Sequence, residues 1–188
     1  MKIIRDIDEL NNMPMTAVCI GKFDGVHLGH RKLIDKVVSM KSKGYKACVF
    51  TFDPSPEELF TGIKPTTICS FEEKNKILAT LGIDICVVFP LTLKSAAISA
   101  EDFVTKILLE KLNMKYLVAG EDLSFGAGGK GNRVLIEQMA KEYNFTVEII
   151  EKVCYEGVQI SSSRIRKAME DSDYELAVNM LGKKKEKL

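Results

Sequence analysis

Both histidines of this 188-residue chain, His27 and His30, fall within one ten-residue stretch, Gly21-Lys22-Phe23-Asp24-Gly25-Val26-His27-Leu28-Gly29-His30. Imidazole titrates near neutral pH. Two imidazoles three residues apart can turn toward one side as a helix begins. Gly21, Gly25 and Gly29 let the backbone take positive φ and approach a ligand closely. The apolar run Thr16 to Ile20 reads as a short buried strand before the stretch, and Leu33, Ile34, Val37 and Val38 mark a helix after it. The stretch is therefore a strand-to-helix turn. The N–H groups and dipole at a helix start suit an anion, above all a phosphate. Taken alone, the two histidines read as a surface pair or half a metal site.

Other segments strengthen the phosphate reading. Ser161-Ser162-Ser163-Arg164-Ile165-Arg166 opens another helix pattern, with serines placed to cap backbone N–H groups and two arginines behind them. Guanidinium matches phosphate oxygens, so Arg164 and Arg166 can hold a pyrophosphate. The span Gly120 to Gly131 carries five glycines and reads as an open loop after a strand, where ligands bind in open α/β sheets.

The elements that position these segments follow from the apolar pattern. Strands read at Thr16–Ile20, Lys46–Phe52, Ile83–Phe89, Tyr116–Ala119 and Thr146–Ile150. Asp53-Pro54-Ser55-Pro56 ends the second of them, and its two prolines predict a rigid, helix-free loop. Ser70-Phe71-Glu72-Glu73 has the form of a capping box, and Ser99-Ala100-Glu101-Asp102 is a second cap signal. Val153 to Ile160 reads as a short extension, and a last helix follows Ser172. Near-continuous apolar strands alternating with amphipathic helices predict an α/β fold, a five-stranded parallel sheet with helices on both faces.

Composition bounds the partners. Lys+Arg 27 against Asp+Glu 26 leaves a net charge of +1, which gives no general case for nucleic acid or an anionic membrane. No apolar run is long enough to span a bilayer, and the first residues lack a signal peptide's apolar segment. The five cysteines are odd in number, widely spaced and without a CxxC, so they read as small buried hydrophobes in a reducing cytoplasm. No metal site is expected of them. One domain over residues 1–182 is expected, with Lys183 to Leu188 as a solvated tail.

Four of these stretches carry a resemblance. Gly21 to His30 resembles the GxFDGxHxGH signature of bacterial-type FAD synthetases, the FMN adenylyltransferase module of bifunctional riboflavin kinase/FAD synthetases. Thr51 to Pro56 resembles that family's TFxPHP element, Ser99 to Gly126 the stretch leading to its GxDFxFG loop, and Ile160 to Arg166 its ISSTRIR motif. Ser55 stands in place of the family's usual histidine, Leu123-Ser124 in place of Phe-Arg, and Ser163 in place of threonine. The resemblance implies a Rossmann-like sheet of order 3-2-1-4-5. It also implies the reaction FMN + ATP → FAD + pyrophosphate. By it, His27, His30 and Arg164 are catalytic. Gly21, Lys22, Phe23, Asp24, Gly29, Ser161, Ser162, Ser163 and Arg166 meet ATP, and Phe52, Pro54, Ser55, Asp122 and Phe125 meet the flavin.

Adenylyl transfer needs the same residue types on chemical grounds. It joins two anions, so positioning and charge neutralisation carry most of the work. Donors and cations are expected, not a serine or cysteine nucleophile. Mg²⁺ is expected to arrive with ATP, bridging phosphates with few protein ligands. The partners expected are ATP and FMN, with a riboflavin kinase module absent from this chain and no kinase activity from it. Two rival readings share the motifs: a nucleotidylyltransferase with another phosphate-bearing acceptor, and a catalytically silent nucleotide- or flavin-binding regulator.

Overall fold

Six strands form the main sheet: β1 (Lys2–Ile4), β2 (Thr16–Ile20), β3 (Lys46–Asp53), β4 (Ile85–Pro90), β5 (Met114–Gly120) and β6 (Thr146–Ile150). In the computed structural model, which describes residues 1–10 and 12–182, they make one parallel sheet of order β1-β4-β3-β2-β5-β6. The five expected strands take the expected order, and β1 adds a sixth at the edge, pairing Lys2 with Ile85. Three residues are too few for an apolar alternation to show, which is why the sequence pattern conceals β1. The expected tail, Lys183 to Leu188, lies outside the described residues.

Parallel strands need helical crossovers. The helices are α1 (Leu28–Ser39), α2 (Pro56–Thr61), α3 (Phe71–Thr80), α4 (Leu93–Ala96), α5 (Ala100–Asp102), α6 (Arg133–Glu142), α7 (Ser162–Glu170) and α8 (Tyr174–Leu181). Phe103–Lys111 continues α5 as a wider helix, in which the Leu112 N–H reaches back five residues to the Ile107 carbonyl. Both cap signals are made. Ser70 and Glu73 close a capping box, and Ser99 Oγ accepts from the Asp102 N–H at 3.0 Å. Each such cap contributes about 1 kcal/mol.

Strand side chains alternate between faces. Val18, Phe50, Val87 and Leu117 join one core, closed by Val104, Leu108, Ile136 and Met139. Ala17, Cys19, Val49, Cys86 and Val118 join the other, closed by Ile34 and Val37 of α1 and Leu78 of α3. The strand cysteines Cys19, Cys48 and Cys86 are buried as expected, whereas Cys154 is exposed. A third apolar cluster welds α7 to α8 through Ile165, Ala168, Ala177 and Met180. No helix among the described residues is long and apolar enough to cross a membrane.

Two expectations change. The stretch after Asp53 is not helix-free: α2 starts at Pro56, with Ser55 Oγ accepting from the Glu58 N–H at 3.2 Å. Proline is at home in a helix's first position, where its missing N–H would have no partner anyway. Val153 to Ile160 is no simple extension, for it contains an antiparallel ribbon of β7 (Cys154–Tyr155) and β8 (Val158–Gln159).

Candidate active site

Because the sheet is parallel, the C-terminal ends of β2, β3 and β5 share one edge. They lead into the Gly21–His27 turn, the α2 head and the glycine-rich loop respectively. The turn is tightly wound: Phe23, Gly25 and Val26 have φ of 52°, 75° and 45°. Such values are unusual for phenylalanine and strained for a β-branched valine. Gly25 is required on two counts, since a Cβ there would also stand 2.8 Å from Ile68 Cγ2. The surroundings hold the turn in place. Asp24 accepts from the Ile68 N–H and from Arg166 Nη1, each at 2.9 Å. Ser162 Oγ donates to the Asp24 carbonyl at 3.1 Å, and Arg31 Nε donates to the Val26 carbonyl at 3.2 Å. Asp24 thus ties the Gly21–His27 turn to the head of α7.

The histidines meet as their spacing predicts. His27 is the N-cap of α1, its Nδ1 accepting from the His30 N–H at 3.3 Å. The two rings stack with centroids 3.7 Å apart and planes 18° from parallel. Phe23 braces the pair from the core, its ring 5.0 Å from that of His30. A Cβ on Gly29 would come within 3.1 Å of His27 Cε1, so the glycine leaves room for the ring. Burial pushes the His27 pKa down to about 4, against the pull of Asp24. Burial, then His27 and Lys74, hold His30 well below the ordinary histidine value. Both rings are therefore neutral at pH 7. His27 Nδ1 is an acceptor, so its proton sits on Nε2. His30 Nδ1 is buried without a hydrogen-bond partner.

Three cavities adjoin one another at Phe52, which lines all of them, and the histidine pair lines the first. The first, about 460 Å³, contains Gly21, Lys22, His27, Gly29, His30, Asp122, Ser161 and Ser162. The second, about 720 Å³, contains Lys22, Asp24, Ser55, Lys74, Ser163 and Arg166. The third, about 210 Å³, is apolar, with Pro56, Phe60, Phe89, Phe103 and Phe125 in its wall.

Three expected site residues lie elsewhere. Phe23 is fully buried and can serve a nucleotide only by supporting His30. Pro54 lines none of the three cavities. Arg164 turns away from them: its Nη1 donates to the carbonyls of Tyr155 and Val158 at 3.1 and 2.7 Å, fastening the β7–β8 ribbon to α7. Ser55 faces the second cavity and caps α2, and it is absent from the apolar wall. Conversely, the pattern reading passes over Phe60 and Lys74. Lys74 has a legible signal, since it sits three residues after Phe71 and four before Leu78, on the apolar face of α3.

A doubly covered parallel sheet, a glycine turn at the end of its central strand and a neutral histidine pair capping the next helix define a Rossmann-like α/β domain with its candidate site at the carboxyl ends of the strands. The profile of the FAD synthetase family matches residues 10–164, and the chain belongs to that family. It is 35% identical over 186 residues to the bifunctional riboflavin kinase/FMN adenylyltransferase of Escherichia coli strain K12, covering 97% of this chain and 59% of that protein. Its likeness to the enzyme of the same description from Buchnera aphidicola subsp. Acyrthosiphon pisum is 36% over 189 residues, with the same coverage. The chain thus spans about three fifths of the length of these curated relatives. The crystal structure of a macrolide-efflux protein from Streptococcus pneumoniae superposes with a TM-score of 0.82 at 26% identity, over 96% of this chain and 61% of that one. A pantothenate synthetase from Thermus thermophilus shares the fold alone, with a TM-score of 0.57 at 15% identity over 93% of this chain and 70% of that one.

Proposed function

We propose that the chain transfers the adenylyl group of ATP to FMN, releasing FAD and pyrophosphate. The stacked, neutral His27–His30 pair at the head of α1 carries this reading, because it lines the first cavity together with the α7 head and can offer hydrogen-bond donors there. An oxygen of the FMN phosphate attacks the α-phosphorus of ATP, and the bond to the β-phosphate breaks. His27 and His30 donate from Nε2 to the α-phosphate oxygens, where negative charge gathers. The free N–H groups of the α1 head add donors of fixed direction. Ser161 and Ser162 at the α7 head bound the same cavity. The flavin ring enters the apolar cavity, between Phe52, Pro56 and Phe125. Asp122 faces the nucleotide cavity and not this one.

Among the described residues no three His, Cys, Asp or Glu side chains could hold a metal together, and both Asp24 oxygens are engaged. This donor set fits a Mg²⁺ carried by ATP itself, which would neutralise phosphate charge. A riboflavin kinase activity, named in the relatives, would supply the FMN. The free cysteines fit a cytoplasmic setting. The test is an assay with ATP against FMN, riboflavin, phosphopantetheine and nicotinamide mononucleotide. Adenylylation of FMN in preference to the others is expected. A different preferred acceptor would move the assignment to that acceptor, and turnover of none would leave a silent binding protein.

A further inference from the structure

The second cavity holds a cation that the adenylyl-transfer scheme has not used. Lys74 lies half-buried on α3, its Nζ 3.3 Å from the Lys22 carbonyl and 5.4 Å from the Phe71 ring centroid. An ammonium has three N–H donors, and the carbonyl takes one. Of the other cations lining the cavity, three come with a carboxylate, Arg5 with Asp53 at 3.0 Å, Lys22 with Glu57 at 3.3 Å and Arg166 with Asp24 at 2.9 Å, while Lys64 stands exposed at the rim. No ion pair within 4.0 Å joins Lys74 to a carboxylate among the described residues. Burial accordingly pulls its pKa below the ordinary lysine value, so the ammonium gains from an anion placed beside it. Arg5 rests over the same aromatic ring, 4.6 Å from its centroid, and faces the same space.

The position of the cavity says which anion. It shares Lys22, Phe52 and Ser162 with the nucleotide cavity, so it opens directly beside the phosphate turn. We propose that this second cavity seats the pyrophosphate leaving group, with Lys74 as its principal cation and Arg166 and Arg5 on its flanks; the identity of the anion rests on the adenylyl-transfer reading. As the bond between the α-phosphorus and the bridging oxygen breaks, its electron pair stays on that oxygen. The β-phosphate then gains a full negative charge, and Lys74 is the desolvated cation in reach of it. Lys74 touches no part of AMP in this arrangement, which separates it from the histidines.

Calorimetric titration of inorganic pyrophosphate and of AMP into the whole chain, with Mg²⁺ present, tests the assignment. Lys74→Met keeps the apolar stem and removes the charge. It is expected to weaken pyrophosphate binding by about tenfold or more while AMP affinity changes by less than about twofold. Lys74→Arg should recover a large part of the loss. Unchanged pyrophosphate affinity in a folded Lys74→Met chain overturns the proposal, as does an equal loss for AMP. Should Lys74→Met not fold, Arg5→Gln at the solvent side takes its place, and an unchanged pyrophosphate affinity there has the same force. The titration needs no acceptor. A chain that makes no FAD yet loses pyrophosphate on Lys74→Met keeps the anion seat and loses the FMN reading.

Discussion

The neutrality of the histidine pair can be tested through stability, because a buried neutral imidazole makes folding depend on pH. His27 has a folded pKa of about 4, against 6.5 for a free histidine. Between these values the unfolded chain binds a proton at residue 27 and the folded chain does not. Stability therefore rises with pH through this window and is lost as pH falls from about 6.5 to about 4. A gap of 2.5 units amounts to about 3 kcal/mol from His27 alone. His30 is depressed in the same direction and adds to the loss. The informative variant is His27→Asn, since asparagine still accepts a hydrogen bond at an N-cap but does not titrate. Urea denaturation at pH 7.5 and at pH 4 should show wild type losing about 3 kcal/mol more than His27→Asn, the carboxylate contributions cancelling between the two. The chain has only two histidines, so NMR of their Cε1 protons gives two assignable signals. The His27 signal should titrate near pH 4, and that of His30 well below the ordinary histidine range. Parallel pH dependence of the two proteins, or a histidine signal moving near pH 6.5, would refute the reasoning. So would a kcat that tracks imidazolium, because at pH 7 only about one His27 in a thousand carries the extra proton.

Three further outcomes are expected. His30→Ala should lower kcat by 10²–10³, roughly 3–4 kcal/mol of transition-state stabilisation, with ATP still bound in equilibrium dialysis; near-normal turnover would remove His30 from the chemistry. Arg164→Ala should act on the fold first, lowering stability by roughly 1.5–3 kcal/mol as the ribbon carbonyls lose a charged donor, and a kcat loss without any shift in Tm would return Arg164 to the phosphates. Gly126→Ala combines a φ of 72° with a Cβ 2.4 Å from Ala100 Cα. It should cost at least about 2 kcal/mol in denaturant and weaken FMN more than ATP, and a stable variant with wild-type FMN affinity would show that the apolar wall yields freely.

What the sequence discloses here is what local physics decides. The Ser70 and Ser99 caps form within three residues of themselves, and the buried strands announce both their number in the core and the covered sheet. The histidine stack follows from a three-residue spacing at a helix head. The Ser55-Pro56-Glu57-Glu58 start of α2 is equally local, but it is hidden when prolines are weighed only as breakers. Other features depend on distant partners. Arg164 could serve a phosphate or a carbonyl, and only the folding of β7 on β8 puts carbonyls within its reach. Phe23 points into the core because its backbone is left-handed. Lys74 finds the Lys22 carbonyl across fifty-two positions.

The placement of β1 has a consequence during synthesis. Residues 2 to 4 pair with residues 85 to 87, so β1, once made, has no partner until β4 has followed it. At 5–20 residues per second that wait is roughly 4–16 s. Through it β2 and β3 can already pair, since they lie next to each other in both sequence and space. Arg5, one residue beyond β1, arrives at the second cavity only with this late strand. The nascent chain can thus shape its Gly21–His27 turn early, while the wall of the second cavity that Arg5 supplies is set in place last.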